Sequence, residues 1–400
     1  AASGWVSDTL AQTPILLDEF LNRQTLYSPP DANALASELQ QQLLSVPEDD
    51  MERQLEVLRL FKKAHVLRVA ASEIRGTLPT MKVSDYLSWI AETVIKQAME
   101  MAWNQLVQKF GVPIYRDGDA DSEPLSKFAV IAYGKLGGLE LSYGSDLDMV
   151  FLVDDNIGGA TSGQRSIDNV IFYARLGQRI IHILSVQTPT GQLYEADMRL
   201  RPSGNSGLLV TTLAAYKKYQ ETSAWTWEKQ ALVRARWVAG SLFLKTQFDE
   251  TRHKVLSVPR QEVALKAEII LMRQKMVESS VGKRDENQSV FHLKQGFGGL
   301  IDIEFMVQFS VLNKSSEIKK LLTWSDNMRI LDAIADEGLW PEKQVRTLQQ
   351  AYLALRAKGH ASSLQNGEGV VPFEEVKAHV VQVDRLWQSI MGEQRAVYST

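Results

Sequence analysis

Asp146 and Asp148 stand two residues apart where an apolar run, Leu147 to Val153, begins. If that run is a strand, alternation puts both carboxylates on one face, where they can share a metal centre. Hard divalent cations take oxygen ligands, and Mg²⁺ is commonly held by one or two carboxylates together with substrate phosphates. An Asp-x-Asp that follows Gly144 and Ser145 is also what a simple turn would use, so the pair alone does not establish chemistry.

Two neighbouring features extend it. Gly134, Gly137 and Gly138 surround Lys135 directly after a second apolar run, Phe128 to Tyr133. Glycine backbone can approach phosphates closely and offer N–H donors, although tight strand-to-helix turns use glycine as well. Further on, Leu193 to Leu200 alternates, with Tyr194, Ala196, Met198 and Leu200 on one side and Glu195, Asp197 and Arg199 on the other. Arg199, with Arg201 just beyond, brings guanidinium groups that match phosphate geometry. Taken alone, that strand reads as a solvated face with neutralising pairs. Together the pieces make a phosphate-cradling turn, two carboxylates on one strand and a third on a neighbour, the arrangement that holds two Mg²⁺ ions around an in-line displacement. The expected chemistry is phosphoryl or nucleotidyl transfer.

The elements that must position these groups follow from periodicity. Val83, Leu87, Ile90, Val94, Ala98 and Met101 recur every three or four residues, as do Met51, Leu55 and Leu58, so the first quarter is expected to be a helical bundle. Tyr115 to Ser126, with Asp117, Gly118, Asp119 and Asp121, reads as a surface connection. The two apolar runs read as buried strands. After a loop at Asn156 to Gly163 comes a helix with Ile167, Ile171, Ala174, Ile181 and Leu184 on one face, ending before Thr188, Pro189 and Gly191. Beyond Pro202 helical periodicity returns at Thr212 to Ala239, Gln261 to Val281, Leu300 to Leu312, Trp324 to Asp336 and Glu374 to Met391. The expected fold is α+β and predominantly helical, with a small sheet between Phe128 and Leu200. Three parts are expected: a helical region over 1–120, a catalytic core over 121–240 and a helical domain over 241–400.

Composition excludes several other classes. A net charge of -4 and a pI near 6.0 give no general attraction to phosphate polymers, which disfavours a nucleic-acid substrate. With no cysteine, thiolate zinc sites, disulfides and cysteine nucleophiles are out. The histidines at 65, 182, 253, 292, 360 and 379 lack metal-ligand spacing. No apolar run is long enough to span a bilayer and no targeting segment opens the chain, so a cytoplasmic protein without membrane association is expected. A chain that opens on Ala1 reads as a piece of a longer polypeptide.

The segment AYGKLGGLELSYGSDLDMVFLVD, followed by TGQLYEADMRLRPSG, closely resembles the glutamine-synthetase adenylyltransferase family, within the polymerase-beta-like nucleotidyltransferase superfamily. The resemblance continues through AWTWEKQALVRAR (Ala224 to Arg236), GGLIDIEF (Gly298 to Phe305) and WSDNMRIL (Trp324 to Leu331). It implies a polymerase-beta-like core flanked by helical regions. It implies that Asp146 and Asp148 bind Mg²⁺ and that Asp197 completes the metal site near the attacking oxygen, with a base role for Asp197 as a further hypothesis. Gly134, Lys135, Gly137, Gly138, Ser145, Arg199 and Arg201 are the candidate contacts for ATP. Lys135 stands where many members have serine, so an ammonium replaces a hydroxyl.

The reaction so implied is attack of a tyrosine hydroxyl of glutamine synthetase on the α-phosphorus of ATP, with pyrophosphate leaving. Members carry two related halves, one attaching AMP and one removing it by phosphorolysis to ADP. The spellings ELSYGSDLD, YEADMRLRPSG and AWTWEKQALVRAR are similar to the attaching, carboxy-terminal half. Regulation by glutamine and by the PII signal protein is implied as well. The alternatives are the removing half, or a non-catalytic module binding glutamine or PII; three retained, mutually repelling carboxylates argue against the module. Trp225 and Trp227 are expected in a core, with Glu228 able to face the site. Gly298, Gly299, Asp302 and Glu304 open a helix whose dipole carboxylates would complement, and the GGLIDIEF match alone suggests a site contribution.

Overall fold

In the computed structural model the three-to-four spacing of the first hundred residues becomes four helices: α1 (Gly4–Gln12), α2 (Ala32–Leu43), α3 (Met51–Ile74) and α4 (Thr80–Phe110). The structure describes residues 3–21, 26–47, 49–115, 125–188, 190–278, 289–393 and 395. The connection expected around Asp117, Gly118, Asp119 and Asp121 lies outside them, as do Pro189 and the stretch 279–281 of an expected helix. Val83, Leu87, Ile90, Val94, Ala98 and Met101 are all buried along α4. That helix stops at Gly111, whose φ of +81° suits glycine, and whose missing side chain lets the chain pass Gly163.

The chain then alternates: β1 (Pro113–Tyr115), β2 (Phe128–Ala132), the single turn α5 (Gly134–Gly137), β3 (Leu147–Val153), β4 (Gly159–Thr161), α6 (Asn169–Ser185), β5 (Ala196–Asp197) and β6 (Val210–Thr212). Helices α7 (Leu213–Thr222) and α8 (Thr226–Val233) lead to β7 (Arg236–Gly240). The rest is α9 (Leu242–Leu256), α10 (Glu262–Glu278), β8 (Val290–His292), α11 (Leu300–Lys314), α12 (Asn327–Asp336), α13 (Glu342–Leu364), β9 (Val370–Pro372) and α14 (Lys377–Met391). The fold is predominantly helical α+β.

Five strands form the main sheet in the order β5-β3-β2-β7, with β6 also on β3. β2 runs antiparallel to β3 and β7, whereas β5 and β6 run parallel to β3. Every residue of β2 is buried, and β3 is buried except at Asp148, as expected of strands covered on both faces. Alternation divides the sheet cleanly. Phe128, Val130, Ala132, Leu147, Met149, Phe151 and Val153 join the core made with α2, α3, α4 and α6. Ala129, Ile131, Tyr133, Val150 and Leu152 join the core made with α9 and α11 to α14. Asp146 and Asp148 share the parity of Val150 and Leu152, so their carboxylates belong to the face that the carboxy-terminal helices cover.

Three expectations need correction. The alternating stretch Leu193 to Leu200 is a strand only at Ala196 and Asp197, because the chain turns back where Arg201 N–H meets Met198 C=O. Thr212 to Ala239 is not one helical stretch. It breaks into α7, α8 and the strand β7, whose Trp237 and Arg236 pair with Ile131 and Ala132 of β2. In α6 the packed stripe is Phe172, Leu176, Ile180, Ile183 and Leu184, while Ile171 is exposed.

Candidate active site

The carboxylates meet through strand register. Asp148 lies directly opposite Asp197 in the parallel β3–β5 ladder, and Asp146 precedes it on the same face. Asp146 is exposed, while Asp148 and Asp197 are half-buried. Burial pushes the Asp148 carboxyl up to about 6, and repulsion from Asp197 and Asp146 adds to the rise. Asp197 moves the other way. Hydrogen bonding to Arg199 holds its carboxyl below the ordinary range against burial.

The glycine turn is built around Asp148. Tyr133 N–H donates to Asp148 C=O at 2.9 Å, and the chain bends at once into Gly134, with φ +54°. A Cβ on Gly134 would sit 2.1 Å from Asp148 Oδ2, so backbone alone fits against that carboxylate. At Gly137 a Cβ would meet the Arg234 carbonyl oxygen at 2.0 Å, and at Gly138 the Arg234 guanidinium at 2.8 Å. The glycines therefore let three strand ends and Arg234 close on one point.

The other expected contacts divide. Lys135 Nζ donates to Ser142 Oγ at 3.1 Å and to Ser145 Oγ at 3.4 Å, which ties the turn to the loop before Asp146. Burial pushes Lys135 down to about 8, with the charges of Lys294 and Arg356 next in effect. Arg199 lies exposed and folds its guanidinium onto Asp197, Nε to Oδ2 at 2.8 Å. Arg201 spends its nitrogens on the carbonyls of Met198, Asn205 and Gly207, clasping the loop after β5. Glu195 gives its carbonyl to Leu147 N–H at 2.9 Å and its side chain is exposed.

A buried network behind the turn escaped the sequence reading. Glu140, fully buried, pairs with Arg234, accepts from Tyr352 Oη at 2.6 Å and from Asn327 N–H at 2.9 Å, and lies 3.6 Å from Arg356. Burial alone would raise its carboxyl, but Arg234 and Arg356 outweigh that and hold it low. Arg234 reaches Glu304 at 2.9 Å, and Ser325 Oγ donates to Gly137 C=O at 2.7 Å. The signal was present: Arg234, Glu304, Ser325 and Asn327 sit in the quoted motifs, but nothing local tells that they converge.

Other motif residues serve structure. Asp302 accepts from Gly298 N–H at 2.7 Å and from Arg273 Nε at 2.6 Å, which ties the loop before α11 and Arg273 of α10 to the first turn of α11. Glu228 accepts from Trp225 N–H and Tyr219 Oη, both at 2.8 Å, and so braces the start of α8 rather than the carboxylates. Trp225 and Trp227 are 71% and 38% exposed instead of packed in a core, because Trp225 sits at the cap before α8 and the helix turns Gln230, Leu232 and Val233 inward.

Among the described residues no three acidic or histidine groups are gathered closely enough to hold a metal ion, which agrees with Asp197 being turned into Arg199. The donor chemistry nevertheless fits a divalent cation. Asp146, Asp148 and Asp197 offer only oxygen donors, crowded enough for Asp148 to be pushed up by its two neighbours, and a cation would remove that repulsion.

Comparison with known proteins gives two family models. Residues 1–251 match the model for glutamate-ammonia ligase adenylyltransferase, and residues 271–368 match that for GlnD PII-uridylyltransferase. The bifunctional glutamine synthetase adenylyltransferase/adenylyl-removing enzyme of Hahella chejuensis is 49% identical over 395 residues, covering 98% of this chain and 41% of that protein. The enzyme of the same name from Pseudomonas aeruginosa is 49% identical over 400 residues, covering 98% and 40%. That from Thioalkalivibrio sulfidiphilus is 46% identical over 397 residues, covering 99% and 40%. The chain spans about two fifths of the length of these curated relatives.

Proposed function

Because the chain belongs to the glutamate-ammonia ligase adenylyltransferase family, we propose that the end of its sheet at Asp146, Asp148 and Asp197 is a polymerase-beta-like nucleotidyltransferase site that moves AMP from ATP to a tyrosine hydroxyl of glutamine synthetase, releasing pyrophosphate. The observation that carries this reading is the β3–β5 register, which sets Asp148 opposite Asp197 beside a glycine turn that only backbone can occupy.

In the proposed reaction the phenolic oxygen bonds to the α-phosphorus as the bond from that phosphorus to the bridging oxygen breaks, and the electron pair leaves on pyrophosphate. Asp146, Asp148 and Asp197 would hold Mg²⁺, which when bound supplies charge neutralisation at the reacting phosphate oxygens. Gly134, Gly137 and Gly138 let backbone approach the nucleotide, and Lys135, Ser145, Arg199 and Arg201 complete the proposed ATP contacts. Of these Arg201 is committed to loop carbonyls, so its part is to hold the loop that carries Arg199. Arg199 keeps Asp197 a weak base, so a base role for Asp197 requires Arg199 to swing onto phosphate.

The relatives' names contain both attachment and removal, which makes phosphorolytic removal of AMP the second reading. We favour attachment on the spellings ELSYGSDLD and YEADMRLRPSG. Glutamine and the PII signal protein are the proposed regulators, and the cytoplasm is the proposed compartment; no described helix is long and apolar enough to cross a membrane. The two directions separate in one experiment. Unmodified glutamine synthetase with Mg-ATP should gain AMP on tyrosine, located by peptide mass spectrometry, whereas adenylylated enzyme with inorganic phosphate should release no ADP; the reverse pattern overturns the attaching assignment.

A further inference from the structure

Asp146 makes no side-chain hydrogen bond or ion pair among the described residues, so its place is set by the backbone on either side. After it, β3 is fixed by the sheet. Before it, the loop Leu141 to Ser145 forms one wall of a cavity of about 220 Å³, whose other walls include Trp5 of α1 and Lys62 and Lys63 of α3. That void interrupts close packing of the loop against the amino-terminal helices. Polar ties hold the loop instead. At its start Arg356 of α13 donates to the Glu140 carbonyl at 3.0 Å. At its end Ser142 N–H donates to Ser145 Oγ at 3.2 Å, and Lys135 reaches both serines. Between these, Tyr143 Oη donates to Glu73 Oε2 at 2.7 Å, its only hydrogen bond among the described residues.

Glu73 lies in the last turn of α3, 70 residues before Tyr143, so this bond joins the amino-terminal helices directly to the loop. Its other oxygen accepts from His360 Nδ1 of α13 at 2.9 Å, and among the described residues no lysine or arginine pairs with it. Burial, and then the charge of Glu73, push the Tyr143 hydroxyl well above its ordinary range, so the phenol keeps its proton and stays a donor. The rings of Trp5 and His360 lie 5.9 Å and 5.7 Å from that of Tyr143, the second edge-on. One carboxylate thus gathers α3, α13 and the loop that runs into Asp146.

We propose that Glu73 is a positioning residue for the carboxylate site: it holds Tyr143, and through it the loop that delivers Asp146, which makes the amino-terminal helices part of the frame of that site. The proposal rests on the nucleotidyl-transfer reading. The effect travels through backbone and needs no contact between either residue and substrate. Without the tie the loop has room to settle into the cavity, and Asp146 is displaced with it.

Tyr143→Phe and Glu73→Ala each delete the bond and leave the Glu140 network intact. Each should lower kcat for transfer of AMP to glutamine synthetase on the order of tenfold or more, with KM for glutamine synthetase unchanged. The double variant should be no slower than the slower single one, because both act through one bond. Glu73→Gln keeps a carbonyl oxygen for Tyr143 and should recover most of the rate. Hydrogen exchange of the peptide spanning residues 142–146, followed by mass spectrometry, should quicken in Tyr143→Phe and Glu73→Ala but not in Glu73→Gln. A merely structural role would lower the melting temperature and leave kcat of the folded protein at the wild-type level. Should Glu73→Ala fail to fold, Tyr143→Phe, which removes a single oxygen, carries the test. Wild-type kcat in the folded single variants, additive losses in the double variant, or unchanged exchange over 142–146 overturns the proposal. If the wild type transfers no AMP, the adenylyl-transfer reading falls and exchange alone decides the tie. Transfer that the variants leave unaltered keeps that reading and removes Glu73.

Discussion

Asp148 is the residue whose environment says most. Its carboxyl stands at about 6 against an ordinary 3.8, so between those values the folded protein keeps a proton that the unfolded chain has lost. Stability contributed by that proton is therefore present at low pH and disappears as pH rises to about 6. Above that, metal-free protein carries a strain on the order of 3 kcal/mol, which Asp148→Asn relieves. The variant is expected to melt at a higher temperature than wild type at pH 7 to 8, with the gap closing toward pH 4, while transfer of AMP falls on the order of 10²-fold or more. Calorimetric melts across pH, paired with transfer rates, check both; a variant less stable than wild type at pH 7.5 contradicts the crowding. Arg199→Ala removes an exposed pair, so it should leave the melting temperature unchanged and raise KM for ATP. Unchanged KM would take Arg199 out of the nucleotide contacts.

The turn between β2 and β3 makes its own predictions. Gly134→Ala places a methyl 2.1 Å from Asp148 Oδ2 at a φ of +54°, so folding should survive with modest loss while transfer falls on the order of 10²-fold. Circular dichroism and a transfer assay check this, and full activity would show that the turn does not press on Asp148. Glu140→Ala strips the counter-charge from Arg234 and Arg356 and should cost roughly 3–5 kcal/mol in urea unfolding. A loss under 1 kcal/mol would mean those arginines find other partners. The two sites also differ in legibility. The Asp pair, the glycines and β3 could be read because each is local: a period of two, a tight turn, a seven-residue apolar run. Glu140 could not, since Arg234, Asn327 and Tyr352 lie 94, 187 and 212 residues away. Strand β5 was overread because alternation from Leu193 to Leu200 is real, but Arg201 clasps the loop and ends the pairing after Asp197. Strand β7 was missed because RWVAG looks like more of the preceding helix until Trp237 and Arg236 find β2.

Across the chain, one sheet separates two cores, and the face that carries Asp146 and Asp148 is roofed by helices from the carboxy-terminal part. That division explains how motifs as far apart as AWTWEKQALVRAR and WSDNMRIL meet: Arg234 and Ser325 both close on the turn at Gly137. Class and helical content were legible from periodicity, because α4 buries each apolar position of its stripe. The roof was not, because its contacts join segments that only the folded sheet brings together. The most direct measurement is transfer of labelled AMP from Mg-ATP to purified glutamine synthetase by this chain and by its Asp148→Asn variant, both shown to be folded. Metal-dependent labelling of a tyrosine by the wild type, lost in the variant, is the predicted result. Labelling of equal extent by both, or none by the wild type, would contradict a nucleotidyltransferase site at the β3–β5 end of the sheet.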